Sequence, residues 1–277
     1  MTAESLADPH ISLLVARRRS PKLMDEPHRH TDVELNYVLD GAIAYLIGGR
    51  RDRIECGRAA VFWAGMPHRL VEVEGEAEFV YVTVPLAWFL QLGVDAAFVT
   101  RLLEGELVQA AADDELAGAT DRLFFERWVD ELASVNPETR RTVLLELEAR
   151  LRRFAAGVVP GLARTRPRAE TEAGAGQVER IARFLGESYR RPLTVAEVGR
   201  AVGLNPTYAM TLFKRGVGIG VWDYVIRLRV SHAQRLLLTT DLPVEQIAAG
   251  SGFGSAASFY RAFRRICGCT PRQYRVR

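Results

Sequence analysis

Hydrophobic residues are grouped in short strand-like runs through the first third of the chain. They recur at three- and four-residue steps through the rest. VELNYVL (33–39), AIAYLI (42–47), AAVFW (59–63) and EFVYVTV (78–84) concentrate β-branched and aromatic side chains, which suit a half-buried pleated surface. Asp40-Gly41, Gly48-Gly49, Gly57 and Gly75 stand between them as turn signals. Strands this short and this close predict a small barrel or sandwich. From about Leu86 to Phe154 the period becomes helical. Leu123, Trp128, Val129 and Leu132 fit one amphipathic helix. Leu144, Leu147, Leu151 and Phe154 fit a second, after a break at Asn136-Pro137. The stretch 157–176 mixes Gly, Pro, Ala and charge without a period and reads as a linker. Everything beyond it is helical. The pattern predicts an α+β chain of two domains, 1–156 and 177–277, with an all-α second domain.

Within the second domain, Leu193–Arg215 has the grammar of a helix-turn-helix. Thr194 is a candidate N-cap with Glu197 as its capping-box partner. Gly203 supplies the turn and Leu204 its apolar plug, and Asn205 caps a second helix that starts at Pro206. Val244–Ile266 repeats the pattern, with Gly252-Phe253 in place of Gly203-Leu204 and Phe263 in place of Phe213. One such match is a weak signal, because core packing alone produces it. Two copies 49 residues apart carry far more weight. The helix between them, about Val221–Leu238, spans roughly 27 Å at 1.5 Å per residue. Successive major-groove faces lie about 34 Å apart on B-DNA, so this helix suits two readers on one side of a duplex.

Charge supports the division. The chain carries a net +3, but from Gln177 onward there are 16 Lys and Arg against 6 Asp and Glu, a balance of +10. The remainder has 21 against 28, a balance of −7. A basic module attached to a mildly acidic one suggests a nucleic-acid reader joined to a unit with another task. Apolar runs are too short and interrupted for a membrane span. The first ten residues have no signal-peptide pattern. Cys56, Cys267 and Cys269 lack metal-ligand spacing and read as reduced thiols, consistent with the cytoplasm.

Residues 178–277 resemble the DNA-binding domain of the AraC/XylS family over their whole length. The joining helix carries Tyr224, Arg229, Ala233, Leu236 and Leu237 of that pattern. The C-terminal stretch carries Gly252, Phe253, Ser258, Phe259, Phe263, Gly268, Pro271, Tyr274 and Arg275. Gly199 and Ala209 stand where larger residues are usual, which predicts a looser first unit. The resemblance implies base-facing positions at Thr207, Met210 and Thr211 in the first recognition helix, and at Ser255, Ala256, Tyr260 and Arg261 in the second. Arg261 suits a guanine edge. Lys214, Arg215, Arg264 and Arg265 suit phosphate, which positions without specifying.

The first domain carries His28, His30, Glu34 and His68. Positions 28, 30 and 34 share parity and would face one way in an extended strand. A third imidazole from another segment would complete a three-nitrogen, one-carboxylate set for Zn, Ni, Mn or Fe. The spacings His-x-His-x3-Glu-x6-Gly and Gly-x7-Gly-x2-His resemble the two motifs of the cupin barrel, with Trp63 at the usual Pro and Glu72 at the usual Asn. Two readings stand at this point: a metal site, or the polar lining of an effector cavity. Asn36 shares the polar parity, and Trp63 is a candidate for stacking on a sugar, although core packing accounts for it as well. The wording of the first domain is closest to the melibiose-regulator branch of the family, which implies a sugar-type effector.

These readings predict a ligand-responsive transcription regulator without catalytic residues. Its partners would be double-stranded operator DNA, a small effector, RNA polymerase and a second copy of the chain. The family resemblance puts the dimer seam on the 144–154 stripe, and packing against the barrel is the other account of that stripe. The competing function is a metal-dependent cupin enzyme with an accessory DNA-binding domain.

Overall fold

The computed structural model describes residues 14–110, 115–134, 136–157 and 175–276. The segment expected to be the linker falls almost wholly outside these residues. The first domain is a cupin-type antiparallel β unit followed by helices. Its strands are β1 (Val15–Arg19), β2 (Asp32–Ile47), β3 (Arg50–Glu55), β4 (Ala59–Trp63), β5 (His68–Pro85) and β6 (Val108–Gln109). They are ordered β1-β5-β2-β4-β6, with β3 also on β2. All pairs are antiparallel.

Two expected strands, 33–39 and 42–47, are one long strand. Asp40-Gly41 is a bulge rather than a hairpin turn, with register shifts on either side. Gly41 adopts φ +65°, and a Cβ there would lie 2.2 Å from the Glu74 carbonyl oxygen. Close approach of β5 therefore demands the glycine. Strand β3 escaped the pattern because its sequence is mostly charged. It lies on the wet side of the sheet, where Arg53 pairs with Glu55 at 2.7 Å and with Glu74 at 2.5 Å.

Short helices α1 (Leu86–Phe89) and α2 (Ala96–Leu103) lead to α3 (Glu115–Ala133) and α4 (Pro137–Gly157). On α3 the buried stripe is Asp121, Phe125, Trp128 and Leu132. Leu123, expected on the apolar face, is 61% exposed. Asp121 takes the buried place instead because Arg150 of α4 clasps its carboxylate with two nitrogens. Tyr37 of β2 stacks on Phe125, and its hydroxyl donates to the Gly118 carbonyl. The apolar parity of β2 thus faces helices, as alternation requires. Leu144, Leu147, Leu151 and Phe154 are all buried within this chain. The stripe is therefore spent on the chain's own core and is not exposed as a dimer seam.

The second domain contains α5 (Ala175–Ser188), α6 (Val195–Val202), α7 (Pro206–Val217), α8 (Val221–Thr239), α9 (Val244–Gly250), α10 (Ala256–Cys267) and α11 (Pro271–Arg275). Thr194 and Glu197 form the expected capping box, and Gly203 ends α6 at φ 70°. The Asn205 side chain accepts from Thr207 N and Tyr208 N, with Pro206 opening α7. In the second unit Ser255 caps α10 through Ser258 N.

The expectation of a loose first unit fails. A Cβ at Gly199 would lie 2.8 Å from the Leu204 carbonyl oxygen and 2.9 Å from Pro206 Cα. The small residue lets the turn close onto α6, and Ala209 is fully buried beside it. Gly199→Ala is expected to cost about 1–3 kcal/mol in urea unfolding, as overpacking does. Gly203→Ala, with open space around it, should cost only the left-handed backbone penalty of about 1–2 kcal/mol and leave α6–α7 packing unchanged.

Candidate functional site

Backbone pairing assembles the histidine cluster. His28 and His68 exchange N–H···O bonds at 3.0 and 2.9 Å, and His30 N donates to the Ala64 carbonyl at 3.0 Å. These ties lay residues 28–30 along the start of β5, so His28, His30 and His68 each offer a nitrogen within 4.8 Å of the others. His28 and His30 precede β2 rather than lying on it, which revises the single-strand parity argument. Glu34, which does lie on β2, meets the cluster through His30, its carboxylate 2.7 Å from Nε2.

Each ring is differently held. The buried His68 Nδ1 donates to the Met66 carbonyl at 2.9 Å. That bond keeps the proton on Nδ1 and leaves the Nε2 lone pair bare, buried and without a partner. Burial pushes the His68 pKa down to about 4, against the pull of Glu34. His30 is gripped at Nδ1 by Asp32 at 3.0 Å and at Nε2 by Glu34. Burial favours its neutral form, but hydrogen bonds to the two carboxylates outweigh that and push its pKa up to about 10. Glu34 is held down to about 2, against its own burial, mainly by its hydrogen bond to His30. The chemistry fits a divalent transition ion that takes the place of the His30 Nε2 proton: a preset imidazole lone pair on His68, the imidazoles of His28 and His30, the Glu34 carboxylate in reach, and Asp32 behind His30 as an orienting partner.

The cluster opens on a cavity of about 610 Å³ whose wall includes Arg17, Tyr45, Phe79, Tyr81 and Thr83. Asn36 is fully buried behind Tyr45, whose hydroxyl donates to its Oδ1 at 3.4 Å. Trp63 lies elsewhere. Cross-strand pairing sets Trp63 opposite Val33 and Phe62 opposite Glu34. Phe62 therefore shares the inner face, its ring 5.1 Å from that of His68. Trp63 turns outward into a small cavity of about 20 Å³ shared with Val178, Val217 and Tyr224 of the second domain. Sequence reasoning missed Asp32, Tyr45 and Phe62. Asp32 has the parity of Glu34 and was legible. Tyr45 has the opposite parity, and the bulge between Val38 and Asp40, where β2 advances two residues against one of β5, reverses which parity faces inward.

On α7, Thr207, Tyr208, Thr211, Lys214 and Arg215 are exposed, spaced to form one face. Met210 is half-buried against the core. Tyr208, 52% exposed, was not foreseen, although an aromatic at the start of a recognition helix is itself a signal. On α10, Ala256, Arg261, Arg264 and Arg265 are exposed, Tyr260 is half-buried, and the exposed Ser255 spends its hydroxyl on the cap. Arg265 lies 3.5 Å from Asp223 of α8.

The two domains meet through buried contacts. Trp88 Nε1 donates to the Ser231 carbonyl of α8. Arg235 reaches Glu148 and Gln91, both at 3.4 Å. Leu90 packs so closely on Gly186 of α5 that a Cβ there would be 2.8 Å away. His232, a lone histidine in sequence, is buried and bonds the Tyr189 hydroxyl at 2.7 Å. Burial pushes the Cys267 thiol up to about 12, leaving it a poor nucleophile.

A cupin unit joined to paired helix-turn-helix readers defines a ligand-responsive, DNA-binding transcription regulator. A helix-turn-helix domain model matches residues 198–277 and a cupin domain model matches residues 20–85. The melibiose operon regulatory protein of Escherichia coli K12 is 30% identical over 262 residues, 93% of this chain and 85% of that protein. The chain belongs to the AraC/XylS family of transcription regulators. The probable transcriptional regulator LumQ of Photobacterium leiognathi is 34% identical over 35% of this chain and 42% of its own length. The DNA-binding domain of AdpA, solved in complex with a target DNA, is 28% identical over 36% of this chain and 88% of that chain, with a TM-score of 0.33. Among the described residues, no helix is long and apolar enough to cross a membrane.

Trp88→Phe keeps the ring bulk but removes the N–H given to Ser231. The expected loss is about 0.5–1.5 kcal/mol, with faster amide exchange around residues 231–234. Unchanged exchange there would show that the bond does not tie the domains.

Proposed function

We propose that the barrel senses a small polar effector of the sugar class, in a cavity floored by a metal-bearing histidine cluster, and passes its occupancy to the DNA readers. The observation that carries this reading is the bare, buried Nε2 of His68, beside His28 and His30, at the wall of a cavity of about 610 Å³. His28, His30, Glu34 and His68 would hold the ion, and Asn36 would act through Tyr45. A bound divalent ion would supply a Lewis-acidic point for an effector oxygen. The sugar class follows from the relative named for the melibiose operon. Trp63, facing the second domain, would report occupancy rather than touch the effector.

On DNA, Thr207, Met210 and Thr211 of α7 and Ala256, Tyr260 and Arg261 of α10 would face bases, with Ser255 fixing the start of α10. Lys214, Arg215, Arg264 and Arg265 would hold phosphates. The chain would act in the cytoplasm as a homodimer and contact RNA polymerase from the operator. With the 144–154 stripe buried, Leu123 and Leu145, each 61% exposed, are the exposed large apolar side chains of α3 and α4 among the described residues and would face a second copy. Regulation rather than turnover is the role, since the histidine cluster by itself defines no reaction. Sustained product formation by metal-loaded protein, lost in His30→Ala, would overturn that role.

Arg261→Ala is expected to cost about 1–3 kcal/mol on the cognate operator and to relax specificity at one base pair. Lys214→Ala should weaken all sequences alike and lower the salt slope. Equal losses on cognate and random DNA for Arg261→Ala would remove it from the base-reading set. For the cluster, purified protein loaded with Zn or Ni should hold about one ion per chain by elemental analysis. His68→Ala should abolish this, and Asp32→Asn should weaken affinity about 10–100-fold, as loss of an orienting carboxylate does. Retention of the ion by His68→Ala would favour the metal-free lining.

A further inference from the structure

A second cavity, away from the histidine cluster, opens where the domains meet. It has a volume of about 490 Å³ and is walled by Leu90 and Gln91 of the first domain, by Glu187, Tyr189 and Arg190 at the end of α5, and by His232 and Arg235 of α8. Its donors outnumber its acceptors. Arg235 is four-fifths buried, yet its Nε has no hydrogen-bond partner, and its two outer nitrogens make only long contacts of 3.4 Å. Arg190 is exposed beside it. The Tyr189 hydroxyl and His232 Nδ1 lie 2.7 Å apart. Burial, then the charges of Arg190 and Arg235, push the His232 pKa down to about 4. The ring is therefore neutral, with one nitrogen donating and the other accepting. Glu187 is the carboxylate on the wall, and Glu148 lies behind Arg235.

A half-dry cleft with two guanidiniums, one of them buried and held only by long contacts, and an imidazole on its wall suits negative oxygens. We infer that this cleft is a second binding site, distinct from the barrel, for a small metabolite bearing a carboxylate or phosphate, held by Arg190, His232 and Arg235. Because the walls come from both domains, such a ligand would bridge them and stiffen their joint. It would be linked to whatever the barrel binds through that shared joint.

The test uses the full-length protein, with inorganic phosphate and succinate as probes and ionic strength held constant with sodium chloride. The readouts are heat of binding by titration calorimetry and melting temperature. Saturable binding of either anion is expected. Arg190→Gln and Arg235→Gln should each weaken it at least tenfold, and His68→Ala should leave it unchanged. Arg235→Gln also loses the Glu148 contact, so a drop in basal stability is expected for that variant and not for Arg190→Gln. Phosphate binding without succinate binding, or the reverse, would identify which oxyanion source the site takes. The inference is overturned if the shifts track ionic strength alone, or if Arg190→Gln binds the anions as the parent does. It is equally overturned if His68→Ala abolishes binding, which would place the anion in the barrel, or if Arg190→Gln weakens only operator binding, which would make it a DNA-phosphate contact.

Discussion

One apolar core runs without a break from the barrel into the first helix-turn-helix. Val33, Trp63 and Phe89 belong to the same buried cluster as Val178, Leu185, Phe213 and Tyr224. The second unit has its own cluster around Val230, Ile247, Phe259 and Phe263. Apolar burial is non-directional and scales with area. Separating the barrel from the first reader would therefore wet a large face, whereas the second reader's core is self-contained. The unequal division gives the chain a built-in asymmetry: one reader is part of the sensor's core and the other is not.

Besides the buried Asp121–Arg150 pair, two places hold buried charge in tension. In the barrel, Asp32 and Glu34 bracket His30 and leave His68 to its bare lone pair. At the joint, Arg235 is held by weak contacts to both Gln91 and Glu148. Elsewhere ion pairs are largely exposed, as along β3, and contribute little to stability. Buried polar groups without full satisfaction are costly, and His68 Nε2 and Arg235 Nε are two such groups, each on a residue that lines a cavity.

Much of this was legible in the chain. Capping residues, turn glycines and repeated spacing located α6, α7, α8 and α10 to within a residue or two, because those signals are local. The histidine cluster was found through the resemblance of two separate segments to the cupin motifs. What was not legible depended on long-range pairing. The bulge at Asp40-Gly41 exists because β5 crosses there, so a local reading saw a turn. Leu123 was placed inward because the pattern could not know that Arg150 would supply Asp121 with a buried partner. Trp63 stood between stacking on a sugar and core packing, and only its pairing with Val33, which turns it out, decides for packing. Gly199 looked like a loss of bulk and is a close approach. The interdomain joint had no sequence signal at all, since Trp88, Gly186 and Arg235 mean nothing until they meet.

Gly252 shapes how the two readers stand to one another. It takes φ +88°, and a Cβ at this position would lie 2.6 Å from the Arg190 carbonyl oxygen. The turn of the second unit is thus seated directly on the backbone at the end of α5, while α8 ties both units along its length. Helical DNA turns by about 35° with each base pair. Two readers seated in this way present their recognition helices at a fixed phase along the duplex. For such a molecule the number of base pairs between half-sites is part of the recognised message, as much as the letters within them.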